Sequence, residues 1–186
     1  SFAVSAAAHI TASIGSDSTT IVRLEGSDGS VAYGARELAK LWRSFGRAEL
    51  IEGDESANLW LRVRDAHWLA QPMDRSIWRL SLAPSKAPHV LADIRQKLGV
   101  RYFFDWGGSL VWLAVVDADD AGASVVREAM VNTGGHATLV RASSEIRRRI
   151  DVFEPLPPAV LKLTQEIKKS FDPDRVLNFG RMYAGI

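Results

Sequence analysis

Four histidines, two glycine pairs, an aspartate pair, six tryptophans and an arginine-rich run are the residues here whose types invite a chemical reading. His9, His67, His89 and His136 are too far apart in the chain for a local two-histidine metal motif such as H-x-x-x-H. No metal site is expected from them. Gly107-Gly108 and Gly134-Gly135 could cradle a phosphate with their backbone N–H groups. Neither has the G-x-G-x-x-G or G-x-x-x-x-G-K-S/T form, and each sits where a turn is already needed. Serine catalysis has no G-x-S-x-G run and no identifiable base partner. Asp119-Asp120 stands at an expected helix start, where the helix dipole accounts for carboxylates.

The aromatic and basic residues leave more open. Trp78, Trp106 and Trp112 fall on expected strands, with Trp42, Trp60 and Trp68 on or near helices. Aromatic strands can stack nucleic-acid bases, but no RNP-type motif accompanies them, so a core or ligand-cavity role is the better reading. Arginine outnumbers lysine, which suits carboxylate or phosphate recognition and equally suits a genome with that base composition. Arg141, Arg147, Arg148 and Arg149 form a local basic cluster. It reads either as a solvated helix face or as a partner for an acidic surface or a cofactor phosphate.

These residues need elements to position them. Strands are expected at 20–25, 49–52, 77–82, 100–106, 110–116 and 136–141, from apolar alternation bounded by glycine-rich breaks. In 77–82, Trp78, Leu80 and Leu82 share one face while Arg79 and Ser81 share the other. Helical spacing recurs at Val31 through Phe45, at 54–65, at Ala87 through Leu98 with Ser85 as N-cap, and at Val125 through Met130 after a start at 117–120. Residues 67–74 read as a connection. The glycine pair at 107–108 marks a hairpin, and 77–141 then runs β-α-β-β-α-β, the order of a ferredoxin-like unit. The expected fold is α+β: a mainly antiparallel sheet with helices on one face, plus a C-terminal helix and an extended tail. In the tail helix, Leu161, Ile167 and Phe171 are expected to pack, with Pro158 near its start and Pro173 beyond its end. Residues 172–183 form a polar, glycine-bearing extension that is expected to be mobile or to dock on something else.

Composition bounds the rest. With 186 residues, 47% of them hydrophobic, the chain can bury a core as one domain without a disulfide or metal staple. Lys+Arg 23 against Asp+Glu 22 leaves +1, too even for a nucleic-acid binder that works through a basic field. Cysteine is absent, which removes disulfides, thiol nucleophiles and iron–sulfur ligation, and fits a reducing compartment. The apolar run 110–116 is far short of the ~20 residues of a membrane span. The opening residues lack the basic and apolar regions of a signal peptide. They also lack an initiator methionine, so the chain reads as processed or as a piece of something longer.

The tail carries a resemblance. Ile167-Lys168-Lys169-Ser170-Phe171-Asp172-Pro173, continuing to Leu177-Asn178-Phe179-Gly180-Arg181, resembles the C-terminal I-K-x-x-F-D-P-x-x-x-L-N-P-G-R signature of FAD-linked oxidases, with Phe179 at the signature's proline. Asp105-Trp106-Gly107-Gly108-Ser109-Leu110-Val111-Trp112 and Gly135-His136-Ala137-Thr138-Leu139-Val140-Arg141-Ala142 are similar to the FAD-binding subunit of bacterial glycolate oxidase, as is Val22-Arg23-Leu24-Glu25-Gly26. The resemblance implies a C-terminal substrate or cap domain over 1–142. Residues 143–186 would form a helical segment and a tail that docks on a flavin domain. The N-terminal FAD-binding domain, with its glycine-rich pyrophosphate loop, is not in this chain.

Further expectations rest on that resemblance. Asn178, Gly180, Arg181 and Tyr183 would meet the cofactor; Trp106, His136 and Arg141 would line a substrate site or cavity; no catalytic residue is assigned. FAD is expected in the full-length protein and not on this chain, which alone would be inactive. The implied activity is oxidation of glycolate or a similar 2-hydroxy acid in a multi-subunit complex. Implied partners are the FAD-binding domain, a catalytic flavoprotein subunit and an iron–sulfur subunit, with no nucleic acid and no membrane span. The implied location is cytoplasmic, or peripheral to the inner membrane through those partners. The competing reading is a stand-alone ferredoxin-like module that binds a ligand or protein without redox chemistry.

Overall fold

The computed structural model describes residues 2–116, 118–183 and 185–186. In chain order the elements are β1 (Val4–Ile10), β2 (Thr19–Leu24), α1 (Asp28–Leu41), α2 (Gly53–Arg64), α3 (His67–Ala70), β3 (Ser76–Ser81), α4 (Ala87–Lys97), β4 (Val100–Asp105), β5 (Leu110–Val115), α5 (Ala123–Met130), β6 (His136–Arg141), α6 (Ser144–Arg149) and α7 (Pro158–Phe171). The strands form one six-stranded sheet in the order β2-β1-β4-β5-β3-β6. Every neighbouring pair is antiparallel, so the fold is α+β.

Period-2 alternation divides the central strands between two cores. Trp78 and Leu80 of β3, Val111, Leu113 and Val115 of β5, and Ala137 and Leu139 of β6 pack against Val90, Leu91 and Ile94 of α4 and Val126 and Met130 of α5. The opposite face carries Ile77, Phe103 and Ala114, with Ala8 and Ile10 of β1, under Val63 of α2 and Leu69 of α3. Both faces are therefore covered, where the alternation alone suggested helices on one face. The difference arises because α2 and α3 present Val63, Leu69, Trp60 and Trp68 to the second face. That cover stops partway along β3: Ile77 is buried, while Arg79 and Ser81 are half-exposed.

Several expected elements differ from those found. Residues 49–52 form no strand; Leu50 points into solvent, and the position beside β2 is taken by β1 instead. The Ser/Ala-rich β1 has weak strand propensity of its own and is held by pairing with β2 and β4. Trp106 leaves the strand and opens the β4–β5 turn. Residues 67–74 hold a short helix, α3. Lys86, not Ser85, precedes α4, and no side chain caps it. The helix expected from 117 starts at Ala123, and Asp117 lies outside the described residues. Asp120 instead accepts bonds from Gly122 N–H, Ser124 N–H and the Ser124 hydroxyl. Burial pulls its carboxyl up, but these bonds together hold it below the usual aspartate range.

The C-terminal helix corrects another expectation. Leu161 is half-buried, but Ile167 is 52% and Phe171 84% exposed, and no α7 residue is buried. Most of its apolar stripe is left uncovered by the described residues. The tail beyond it folds on itself: Asp172 accepts from Val176 N–H and Leu177 N–H and binds the Lys168 ammonium. Those groups hold the Asp172 carboxyl below its ordinary range, the lysine first. What covers Asp172 is the turn it organises, not the body of the protein.

Gly135 shows why β6 begins where it does. A Cβ there would lie 2.3 Å from the Ser81 carbonyl oxygen and 2.8 Å from Leu82 Cβ. The side chain is missing because β6 must press against the end of β3. Gly135→Ala is expected to lower stability by ~1–3 kcal/mol, the ordinary cost of overpacking. Denaturant midpoints equal to wild type would contradict this close approach.

Candidate functional site

The β4–β5 turn has an unusual backbone. Trp106 (φ 49°), Gly107 (φ 62°) and Gly108 (φ 94°) are three consecutive residues at positive φ, and a tryptophan there is unusual. The turn is tied on three sides. Trp106 N–H donates to the Asp105 carboxylate at 2.7 Å, the Ser109 hydroxyl donates to the Trp106 carbonyl at 2.9 Å, and Leu82 N–H donates to the Ser109 carbonyl at 3.0 Å. The indole is thereby held out in solvent, 64% exposed.

Asp105 anchors this turn from below. It is 7% exposed, and burial pushes its carboxyl above the usual aspartate range, with Trp106 N–H and the Trp112 indole pulling the other way. The Trp112 N–H lies near enough to be felt by that carboxyl, yet it is buried and completes no hydrogen bond of ordinary geometry. A buried N–H without a full partner is uncommon in native structures.

Register brings a second group to the same end of the sheet. Ser81 pairs with Leu110 on one side and His136 on the other, and Arg79 pairs with Trp112 and Thr138. Since alternate residues share a face, Arg79, Ser81, Thr138 and His136 stand together on the part of the sheet beyond the α2–α3 cover. Arg79, Ser81 and Thr138 are half-buried and His136 is exposed. The Arg79 guanidinium carbon lies 5.5 Å from the centre of the Trp106 ring, a cation–π contact. Among the described residues no carboxylate and no hydrogen-bond acceptor engages Arg79. None of these four is acidic, while Asp105 stands on the same face two strands away, beyond Leu110; the four themselves offer donors to an anion.

The expected site residues are thus divided. Trp106 and His136 lie at the same end of the sheet. Arg141 is at the other end of β6, where its guanidinium donates to the carbonyls of Arg75, Ala70, Leu69 and Pro72 at 2.8–3.2 Å. That guanidinium clamps the loop between α3 and β3 and has little left for a ligand. It is also separate from Arg149, which donates to the Asp119 carbonyl at 3.0 Å. Asn178, Gly180, Arg181 and Tyr183 share one turn of the tail, with Arg181 N–H on the Asn178 carbonyl. The Tyr183 ring lies 6.0 Å from that of Phe153, which sets the end of the tail beside the segment following α6. Arg79, Ser81 and Thr138 were not singled out from sequence. Alternation placed Arg79 and Ser81 on one face, but only the pairing register set Thr138 and His136 beside them.

Two other regions carry less chemistry. A groove of about 590 Å³ lies between α6 and the β5–α5 connection, lined by Ala118, Asp119, Glu145, Ile146 and Arg149. It is wide and open, and lies toward the Ser76–Val115 end of the sheet, away from Arg79. Among the described residues no three His, Asp or Glu side chains gather as a metal site requires.

With this geometry in view, the sequence was compared with known proteins. No protein-family model matches the chain. Over 169 residues it is 33% identical to the glycolate oxidase subunit GlcE of Escherichia coli strain K12. This chain is a relative of a glycolate oxidase subunit. The match takes in 90% of the chain but spans only 40% of GlcE. Nearly every element described above, the Arg79–His136 patch included, therefore falls where GlcE has a counterpart segment or lies close beside one.

The raised Asp105 carboxyl has a testable consequence. A group that binds its proton more tightly when folded stabilises the fold below its unfolded pKa of about 3.9, and that contribution is lost as pH rises through the higher folded value. The stability advantage of wild type over Asp105→Asn is therefore expected to shrink as pH rises from 3.5 to about 7. Urea midpoints of the two proteins across that range test the sign; a gap that widens with pH would refute it.

Proposed function

We propose that this chain is the substrate or cap domain, with closing tail, of an FAD-dependent 2-hydroxy-acid oxidase subunit of the glycolate oxidase type. The 33% identity to GlcE over 90% of the chain is the observation that carries the reading. Two structural features support it. The patch of Arg79, Ser81, Thr138 and His136 is left bare on the sheet, as a face that covers a reaction centre would be. The α7 stripe and the tail expose Phe171, Val176, Leu177, Phe179 and Met182, which suits docking against a further domain.

The residues present fit FAD only in part. Gly134-Gly135 and Gly107-Gly108 serve a close strand approach and a tight turn, so neither is a pyrophosphate cradle. The pyrophosphate is therefore assigned to the remaining part of the subunit, and bound FAD would supply the acceptor for the substrate's hydride. Asn178, Gly180, Arg181 and Tyr183 are assigned to the border between tail and flavin domain. Residues 1–142 and 143–186 then act as cap and closing segment. The subunit works in a complex with a catalytic flavoprotein and an iron–sulfur subunit, at the cytoplasmic side. No helix among the described residues is long and apolar enough to cross a membrane.

The test is a fusion in which this chain replaces its matching segment in GlcE. The fusion is expected to retain FAD as the parent does, whereas loss of flavin with the fold intact would overturn the assignment. Within it, Arg181→Ala removes one charged hydrogen bond, worth ~1.5–3 kcal/mol. Flavin affinity should fall about tenfold or more, measured by equilibrium titration, with the circular dichroism of the sheet unchanged.

A further inference from the structure

Arg79, Ser81, Thr138 and His136 occupy adjoining register positions on one face of β3 and β6. None of the four side chains has a hydrogen-bond or ion-pair partner among the described residues. We propose that these four side chains form a binding site for a small carboxylate, with the Trp106 ring as its wall. The proposal deepens the function given above and rests on it for the choice of a 2-hydroxy acid; the preference for a carboxylate rests on the side chains alone.

The chemistry follows from what the patch contains. A guanidinium matches a carboxylate with paired N–H donors, and stacking against an aromatic face orients it beforehand. Arg79 has the stacking partner in Trp106 and lacks the carboxylate. Arg79 is half-exposed and its guanidinium engages no protein acceptor among the described residues, so its N–H donors are open to an incoming anion. The Ser81 and Thr138 hydroxyls can both donate and accept, which suits the hydroxyl beside the carboxylate of a 2-hydroxy acid. His136 stands at the exposed rim.

Scale argues for a small ligand. Directly opposed residues on antiparallel strands have Cβ atoms about 4.5–5.5 Å apart, so the four side chains are close enough together to contact one small molecule. Three of them are recessed, and only Trp106 and His136 project. A broad acidic protein surface would meet those two and miss the donors beneath.

The experiment is a nuclear magnetic resonance titration of the chain, reading the indole N–H of Trp106 and the Nε–H of Arg79. Three probes are added in turn: glycolate, glycolamide and sodium chloride. Glycolate is expected to give saturable shifts in the millimolar range, while glycolamide, which has no charge, gives none. Arg79→Gln should weaken glycolate binding at least tenfold, and Thr138→Val several-fold, with the dispersion of the sheet amides unchanged. The glycolamide comparison needs no variant, so it stands even where Arg79→Gln disturbs folding. Equal shifts from chloride, unchanged affinity in a folded Arg79→Gln, or no saturable shift with glycolate would each overturn the site. Flavin retention by the GlcE fusion is read separately, so either proposal can fail while the other stands.

Discussion

The register of β3 against β5 and β6 is the constraint on which the site depends. Because side chains alternate at every residue, a slip of one position would bury Arg79 and Ser81 under α4 and α5 and turn Trp78 and Leu80 to solvent. Trp78 prevents that slip. Its ring is fully buried in the helix-covered core, its indole N–H donates to the Ala121 carbonyl at 2.8 Å, and Arg127 lies 5.1 Å over its face. Arg127 in turn bonds the Ala137 carbonyl at 2.6 Å, the Glu154 carboxylate and the carbonyls of Asp151 and Phe153. One tryptophan thus joins β3 to α5, and through Arg127 to β6 and the segment beyond it.

Three arginines around this sheet show how one side chain serves different ends. Arg127 is mostly buried and meets a carboxylate and three carbonyls, so its charge is compensated. Arg141 meets two backbone carbonyls at the end of α3 and two in the loop that follows, which suits the planar fork of donors on a guanidinium. Arg79 has an aromatic ring and, among the described residues, no acceptor. Placed on the bare end of the face, it is the member of the set whose N–H donors are not used within the described residues. The strained Trp106 fits the same picture, because backbone strain is retained where a side chain must be held in a set place.

The chain leaves apolar surface uncovered. Helices cover one face of the sheet and part of the other, while α7 has no buried residue and the tail ends in exposed Val176, Leu177, Phe179 and Met182. Local hydrogen bonds around Asp172 are enough to shape the tail, but they bury little apolar surface. The chain spans about two fifths of the length of GlcE.

Much of this was legible in the residues alone. The α+β class, the β4–β5 hairpin, α4, α5 and β6 follow from periods of 2 and 3.6 with glycine breaks, because burial of one face imposes that pattern locally. β1 was not legible, since its alanines and serines take a strand conformation only when β2 and β4 supply partners. Nor was the exposure of Phe171, because an amphipathic stripe records that a face is to be covered and not by what. Trp106 and His136 could be marked from their motifs, and Arg141 beside them, but sequence gives no sign that Arg141 is consumed by the carbonyls of a loop some seventy residues earlier. Arg79, Ser81, Thr138 and His136 become neighbours only through antiparallel pairing of β3 with β6. The order of strands in a sheet is set by long-range packing, and local spacing carries no record of it.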